Sequence, residues 1–354
     1  MRVWASAGVV GLLLSASVVG DPGYDGGECA QTLSAGEGAI ARALMDAGMY
    51  DLLAGGREAD SFIYVPLTFH VVRRSNGTGG LTQERLDQAI IDANIAYAPA
   101  GIAFCRPGPV DYIDSDNFYL NINTQLEIDQ LRTTNVVPNT INIYFTEELF
   151  IGSSSLCGIS AFTFSSVQGI VMRNSCTALP TNASTFPHEI GHYFDLYHTH
   201  ETALGRECVN GSNCTTAGDL VCDTPADPTL TTSNVNTSCV YTGTSFGTCS
   251  GDGRYAPDPT NFMSYSRKEC RDFFSPGQLT RARATIFNLR PELVHLLAGD
   301  TNGDGVVNFI DLNMVLSQFG QSGVGLQGDL TGDGVVNFAD LNAVLSTFGA
   351  VSCS

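Results

Sequence analysis

The chain has little positive charge: 17 Lys and Arg stand against 36 Asp and Glu, for a formal net charge of -19 and a pI near 4.4. A protein that grips phosphate backbones needs a basic surface, so no nucleic-acid partner is expected. Much of the acidic excess serves solubility, and it also suits calcium, which takes hard oxygen ligands. Charged residues make up only 15% of the chain and hydrophobic ones 43%, a balance that excludes a disordered polypeptide. Beyond the N-terminus no apolar run is long enough to cross a bilayer, so no membrane span is expected. At 354 residues there is length for a sizeable core and more than one domain.

What is present begins with an export signal. Arg2 precedes an apolar run centred on Val9 to Leu14, and small residues lead to Gly20-Asp21. That run is too short for a membrane span and carries the positive flank of a signal peptide, placed at residues 1–20. The mature protein is therefore expected to be secreted, with cell-surface attachment left open. Eleven cysteines in an exported chain should be mostly disulfides, and the odd count leaves at least one thiol over.

Composition then divides the chain. Residues 21–58, rich in Gly, Ala and acidic side chains, read as a pro-segment or N-terminal extension with a helical patch around Ala39 to Leu53. Residues 59–297 form the main domain, opening on the β-branched strand Phe62-Ile-Tyr-Val-Pro-Leu-Thr-Phe-His-Val-Val. Leu81 to Tyr97 places Leu86, Ile90, Ile91 and Ile95 at helical spacing behind Thr82 as N-cap. Short strands follow at Ile102 to Cys105, Thr140 to Phe145 and Gly169 to Met172, before helices at Thr185 to Tyr197 and Pro276 to Leu289. This order predicts an α/β (α+β) fold with a mixed sheet. Residues 298–354 hold a duplicated unit.

The chemistry concentrates in His188-Glu189-Ile190-Gly191-His192. On a helix, residues four apart share a face, so both imidazoles can reach one metal, and Glu189 stands where it can take a proton from an activated water. His198 supplies a third imidazole if the helix stops and turns after His192. Three neutral imidazoles make an open, catalytic zinc site, unlike the closed four-ligand structural kind. A solvated helix that merely carries histidines is the bland alternative. With six histidines in the whole chain, three at this spacing around a glutamate argue against it.

His188 to His198 resembles the metzincin signature HExxHxxGxxH. The run His-Glu-Ile-Gly-His-Tyr-Phe-Asp-Leu-Tyr-His-Thr-His is similar to the pappalysin/cytophagalysin branch, as are Val65-Pro-Leu-Thr-Phe-His-Val-Val, Gly218-Asp-Leu-Val-Cys-Asp-Thr-Pro and the Met-turn-like Asn261-Phe-Met-Ser-Tyr-Ser. The resemblance covers about residues 60–295. It implies a metzincin catalytic domain with an active-site helix, with His188, His192 and His198 as zinc ligands and Glu189 as general base. It also implies Met263 as the floor beneath the metal and Tyr265 as a hydrogen-bond donor to the oxyanion. Asp195 stands where most metzincins have glycine; Asp is among the residues that tolerate the left-handed turn needed there. His200 is expected to be a surface residue or to lie behind the ligands.

The resemblance further implies calcium near Asp219, Asp223, Thr224 and Asp227, and disulfides Cys222–Cys249 and Cys239–Cys270. Cys29, in Glu28-Cys29-Ala30-Gln31-Thr32, resembles a cysteine switch whose thiolate occupies the open metal position and keeps the enzyme latent. Cys353 is the other candidate for the unpaired thiol.

At the C-terminus Asp300-Thr-Asn-Gly-Asp-Gly-Val-Val-Asn-Phe-Ile-Asp recurs as Asp329-Leu-Thr-Gly-Asp-Gly-Val-Val-Asn-Phe-Ala-Asp. Each copy fits an EF-hand-like calcium loop. The first offers Asp300, Asn302, Asp304, Asn308 and Asp311, and the second Asp329, Thr331, Asp333, Asn337 and Asp340. Helices are expected from Leu312 to Phe319 and from Leu341 to Phe348. The pair resembles a type I dockerin repeat, which implies a cohesin-like or cell-surface partner. The chain thus reads as a secreted zinc-dependent endopeptidase acting on protein or peptide. The rival reading is a catalytically silent adhesion protein that binds through the calcium module, but a relic site has no need of an intact Glu189.

Overall fold

A computed structural model describes Cys29 and residues 31–51, 63–294, 297–302 and 305–351. The expected signal peptide, Asp304 and Cys353 lie outside the described residues, as do residues 52–62 and with them one boundary of the N-terminal segment.

Strand β1 (Ile63–Arg73) organises the main sheet. One edge of it pairs in parallel with β2 (Ile102–Cys105) near its start and with β3 (Asp111–Asp114) near its end. Its other edge pairs in parallel with β4 (Ile141–Thr146). The two-residue strands β5 (Phe150–Ile151) and β6 (Ser154–Ser155) form a separate hairpin. Strand β7 (Gly158–Ser160) lies antiparallel to β8 (Ile170–Arg173), which pairs with β4, so the six-stranded sheet is mixed and β7 forms its edge.

Both faces of the sheet are covered, which is why β4 is apolar almost throughout and buried at every position. Ile63, Val65, Leu67, Phe69 and Val71 point into the main core, beneath α2 (Gln83–Tyr97), the metal-site helix α5 (Thr185–Tyr193) and α6 (Pro276–Leu289). Val72, Tyr144 and Val171 face a second core closed by α3 (Asp116–Leu120) and α4 (Gln125–Arg132). The α/β class and the mixed sheet agree with the sequence; β3, α3, α4, β5, β6 and β7 are additions to it.

The stripe that α2 buries differs from the expected one. Leu86, Ala89, Ala93, Ala96 and Tyr97 face the core, while Ile91 and Ile95 are 50% and 71% exposed. Small alanines let the helix lie close on the sheet, and close approach outweighs the larger area two isoleucines would bury.

The N-terminal helix α1 (Ala35–Asp46) starts earlier than the Ala39–Leu53 patch, because Ser34 and Glu37 form a reciprocal capping box, and it ends at Asp46. In the C-terminal unit α7 (Phe309–Gln318) and α8 (Phe338–Ser346) each begin three residues before the expected start. Asn308 and Asn337 cap them, accepting from the amides of Ile310 and Ala339. A small core of Val307, Val315, Val336 and Val344 holds the two helices together, separate from the cores around the sheet. Among the described residues no helix is long and apolar enough to cross a membrane.

Candidate metal centre

Helix α5 carries His188, Glu189 and His192, and every residue in it is buried. Gly191 is one reason it can sit so deep. A Cβ there would come 2.6 Å from the Met263 Sδ, so a side chain is excluded where Met263 packs beneath the helix. The helix ends at Phe194, and Asp195 turns the chain in the left-handed region at φ 56°. The Leu196 amide then bonds back to the Gly191 carbonyl at 2.9 Å, which delivers His198 to the first two histidines.

A left-handed conformation costs a non-glycine residue about 1 kcal/mol. The Asp195 carboxylate offsets that by accepting from the Thr163 amide at 2.9 Å and the Thr163 hydroxyl at 2.6 Å. Hydrogen bonds to a charged group contribute about 1.5–3 kcal/mol each, so the departure from glycine is tolerated.

The three Nε2 atoms of His188, His192 and His198 lie 3.1–3.2 Å from one another. His188 Nδ1 faces the Phe262 carbonyl at 2.6 Å and His192 Nδ1 the Leu196 carbonyl at 2.7 Å. Carbonyls only accept, so these Nδ1 atoms carry the protons and the Nε2 lone pairs are bare. Burial drives His192 down to about 4 and holds His188 and His198 well below the usual histidine range. All three rings are therefore neutral at physiological pH, as metal ligands must be. Bare lone pairs converging at this distance repel unless a cation joins them. Tetrahedral zinc with Zn–N bonds of about 2.0–2.1 Å needs nitrogens about 3.3 Å apart, so the set fits zinc.

Glu189 is fully buried beside this cluster, against Gly158 of the edge strand. A Cβ on Gly158 would fall 2.5–2.6 Å from the Glu189 carboxyl. Nothing in the sequence marks Gly158 as special, because its constraint is a contact across 31 residues. Cys29 belongs to no disulfide; its Sγ and the three Nε2 atoms all lie within 4.8 Å of one another. Its thiol lies 3.6 Å from Glu189 Oε2, and the Tyr265 hydroxyl donates to the Cys29 carbonyl. The ring of Tyr265 packs 4.5 Å from that of His198. His200 is half-buried, stacked on His198 at 4.9 Å and tilted against Tyr265, so it lies behind the ligands.

The acidic loop residues are held by distinct partners. Asp223 binds the start of α6 through the Ser275 hydroxyl and the Gly277 amide, and Asp227 accepts from Thr199. Asp219 accepts from the Thr224 hydroxyl, and Glu207, which the sequence does not single out, packs against the neighbouring Gly218. Burial and the charge of Asp219 push Glu207 up to about 8, and burial pushes Asp219 up to about 7.

Cys239–Cys270 agrees with the expected pairing, but Cys222–Cys249 does not. Cys222 pairs with Cys214, and Cys249 with Cys208. The turns between Cys208 and Ala217 fold Cys214 back to a Cα–Cα distance of 4.9 Å from Cys222, within direct reach. In the C-terminal unit Asp300 accepts from the Gly305 amide and Asp311 from Thr301 and Asn308. In the second copy Asp329 accepts from Gly334, Asp340 from Thr331, and Asp333 from Asn337. Both loops are thus closed around their first and twelfth carboxylates.

The peptidase M43 model, described as pregnancy-associated plasma protein-A, matches residues 141–287. An extracellular metalloprotease of Sordaria macrospora is 30% identical over 244 residues, spanning 64% of this chain and 76% of the fungal protein. One of Colletotrichum graminicola is 30% identical over 242 residues, spanning 65% and 78%. Among solved structures, mature mirolysin of Tannerella forsythia in complex with a cleaved peptide superposes with a TM-score of 0.48 at 19% identity, over 66% of this chain and 96% of that one. The chain therefore belongs to the peptidase M43 family and is a zinc metalloprotease.

Proposed function

We propose that the protein is a secreted endopeptidase in which His188, His192 and His198 hold the zinc and Glu189 is the general base. The observation that carries this reading is the convergence of three neutral imidazoles, lone pairs inward, beside a buried carboxylate. Zinc, when bound, supplies Lewis acidity toward water and the scissile carbonyl. Glu189 takes the proton of the attacking water and passes it to the leaving amine. The Tyr265 hydroxyl, which here donates to the Cys29 carbonyl, would donate instead to the oxygen of a substrate carbonyl. Met263 closes the floor under the helix. Relatives named as extracellular metalloproteases support export.

Cys29 holds this site latent. Its thiol lies among the three Nε2 atoms and its carbonyl takes the Tyr265 donor, so both the metal's open position and the oxyanion donor are covered together.

The C-terminal repeat, residues 298–354, is proposed as a dockerin-like module. Asp300, Asn302, Asp304, Asn308 and Asp311 would hold one calcium, and Asp329, Thr331, Asp333, Asn337 and Asp340 another. Phe309 and Phe338 are 69% and 74% exposed beside these loops, and offer apolar contact to a cohesin-like protein partner.

The deciding experiment is Glu189→Ala. Casein cleavage should fall by at least about a hundredfold while one zinc per chain is retained. Undiminished cleavage would refute the assignment.

A further inference from the structure

The 29–51 segment touches the main domain far beyond Cys29. Its Leu33 amide donates to Glu201 at 3.1 Å, and α1 lies on Ala203 and Leu204. At its far end the Asn288 amide group donates to the carbonyls of Met49 and Asp51 at 2.9 and 3.1 Å. Between these stations Tyr50 is 5% exposed, with its ring 4.8 Å from the Arg281 guanidinium. Its hydroxyl donates to Asp195 Oδ2 at 3.2 Å and lies 2.8 Å from the Tyr197 hydroxyl.

We propose that Asp195 is the docking anchor for the 29–51 segment, gripping Tyr50, so that the segment is held at a surface of its own as well as at Cys29. The inference deepens the latency reading given above and rests on it.

Asp195 occupies a left-handed turn where glycine would serve at less cost, so the carboxylate needs a reason. Thr163 satisfies two of its lone pairs, and Tyr50 supplies a further donor from outside the main domain. The anchor sits directly after the metal-site helix, between His192 and His198. Packing of Leu33 and Ala41 with Phe162, Tyr197 and Leu220 surrounds this polar contact with apolar surface and excludes water from it. The grip therefore does not depend on the thiol.

The test uses the full chain carrying Glu189→Ala, so that it does not process itself, with amide exchange of residues 35–46 read by mass spectrometry. Tyr50→Phe keeps the ring and the Arg281 contact but removes the hydroxyl. Asp195→Gly keeps the turn and removes the carboxylate. Each should speed exchange of the α1 amides on the order of tenfold, the loss of one hydrogen bond to a charged group. Cys29→Ser should leave α1 protected. Unchanged exchange in Tyr50→Phe and Asp195→Gly overturns the anchor, and so does release of α1 by Cys29→Ser alone. Should Asp195→Gly fail to fold, Tyr50→Phe decides by itself. The thiol latch is judged separately, in the chain with Glu189 restored. If Cys29→Ser is no more active there than the parent chain, that latch fails and the anchor stands.

Discussion

At the residue scale, the centre is built from atoms whose freedom has been removed. The Phe262 and Leu196 carbonyls choose the tautomers of His188 and His192, and burial keeps the rings neutral. Gly158 does the same for Glu189 by leaving space, since any Cβ would press on its carboxyl. Gly158→Ala should therefore lower kcat about a hundredfold with little change in melting temperature. Kinetics on a quenched peptide beside zinc analysis would check this; wild-type kcat at full zinc loading would show that Glu189 does not depend on that space. The motif residues were legible because spacing on a helix is a local property. Gly158 and Tyr50 were not, since neither belongs to a pattern along the chain and each acts through a contact with a distant residue.

Among the elements, the loop following the third histidine is held by carboxylates with distinct partners. Asp223 binds the start of α6, Asp227 accepts from Thr199, and the charge of Asp219, which accepts from Thr224, acts on Glu207. Their pKa values of about 8 and about 7 lie above the value near 4 of an unfolded carboxylate. The folded chain thus holds more protons than the unfolded chain between about pH 4 and 8, and stability falls as pH rises across that window. A cation bound by these carboxylates would favour their charged forms and oppose the fall. The melting temperature in EGTA should accordingly drop from pH 5 to pH 8. Glu207→Gln should flatten that slope, and added calcium should restore most at pH 8. A slope unchanged in Glu207→Gln would remove this pair from the account. Helix α2 teaches a related lesson: its helical period was readable, but which stripe turned inward depended on how closely the helix had to approach the sheet.

For the whole molecule, the cores are separate. The four valines between α7 and α8 form a cluster of their own, apart from those that flank the sheet. A chain ending at residue 297 should consequently keep peptide cleavage within about twofold of the full chain, because exposed or remote changes cost little. It should also lose the calcium-dependent rise in melting temperature expected of the proposed calcium loops. Cleavage lost together with the repeat would mean that the two units support one another. A second expectation concerns partners: Phe309→Ser with Phe338→Ser should abolish capture of a cohesin-like protein while leaving cleavage and calcium binding intact. Retained capture would move that surface elsewhere.

The sequence by itself determined whatever repeats or recurs over short spans. That covers the helical face bearing His188, Glu189 and His192, the need for a turn before His198, the duplicated acidic loops and the alternation of apolar strands. Each follows from the geometry of neighbouring residues. Only the tertiary structure decided which atoms meet across the chain: Tyr50 on Asp195, Gly158 against Glu189, Cys214 with Cys222, and Glu207 against Gly218. Those contacts depend on how whole elements pack, and packing is a property of the assembled surfaces, not of any stretch of chain.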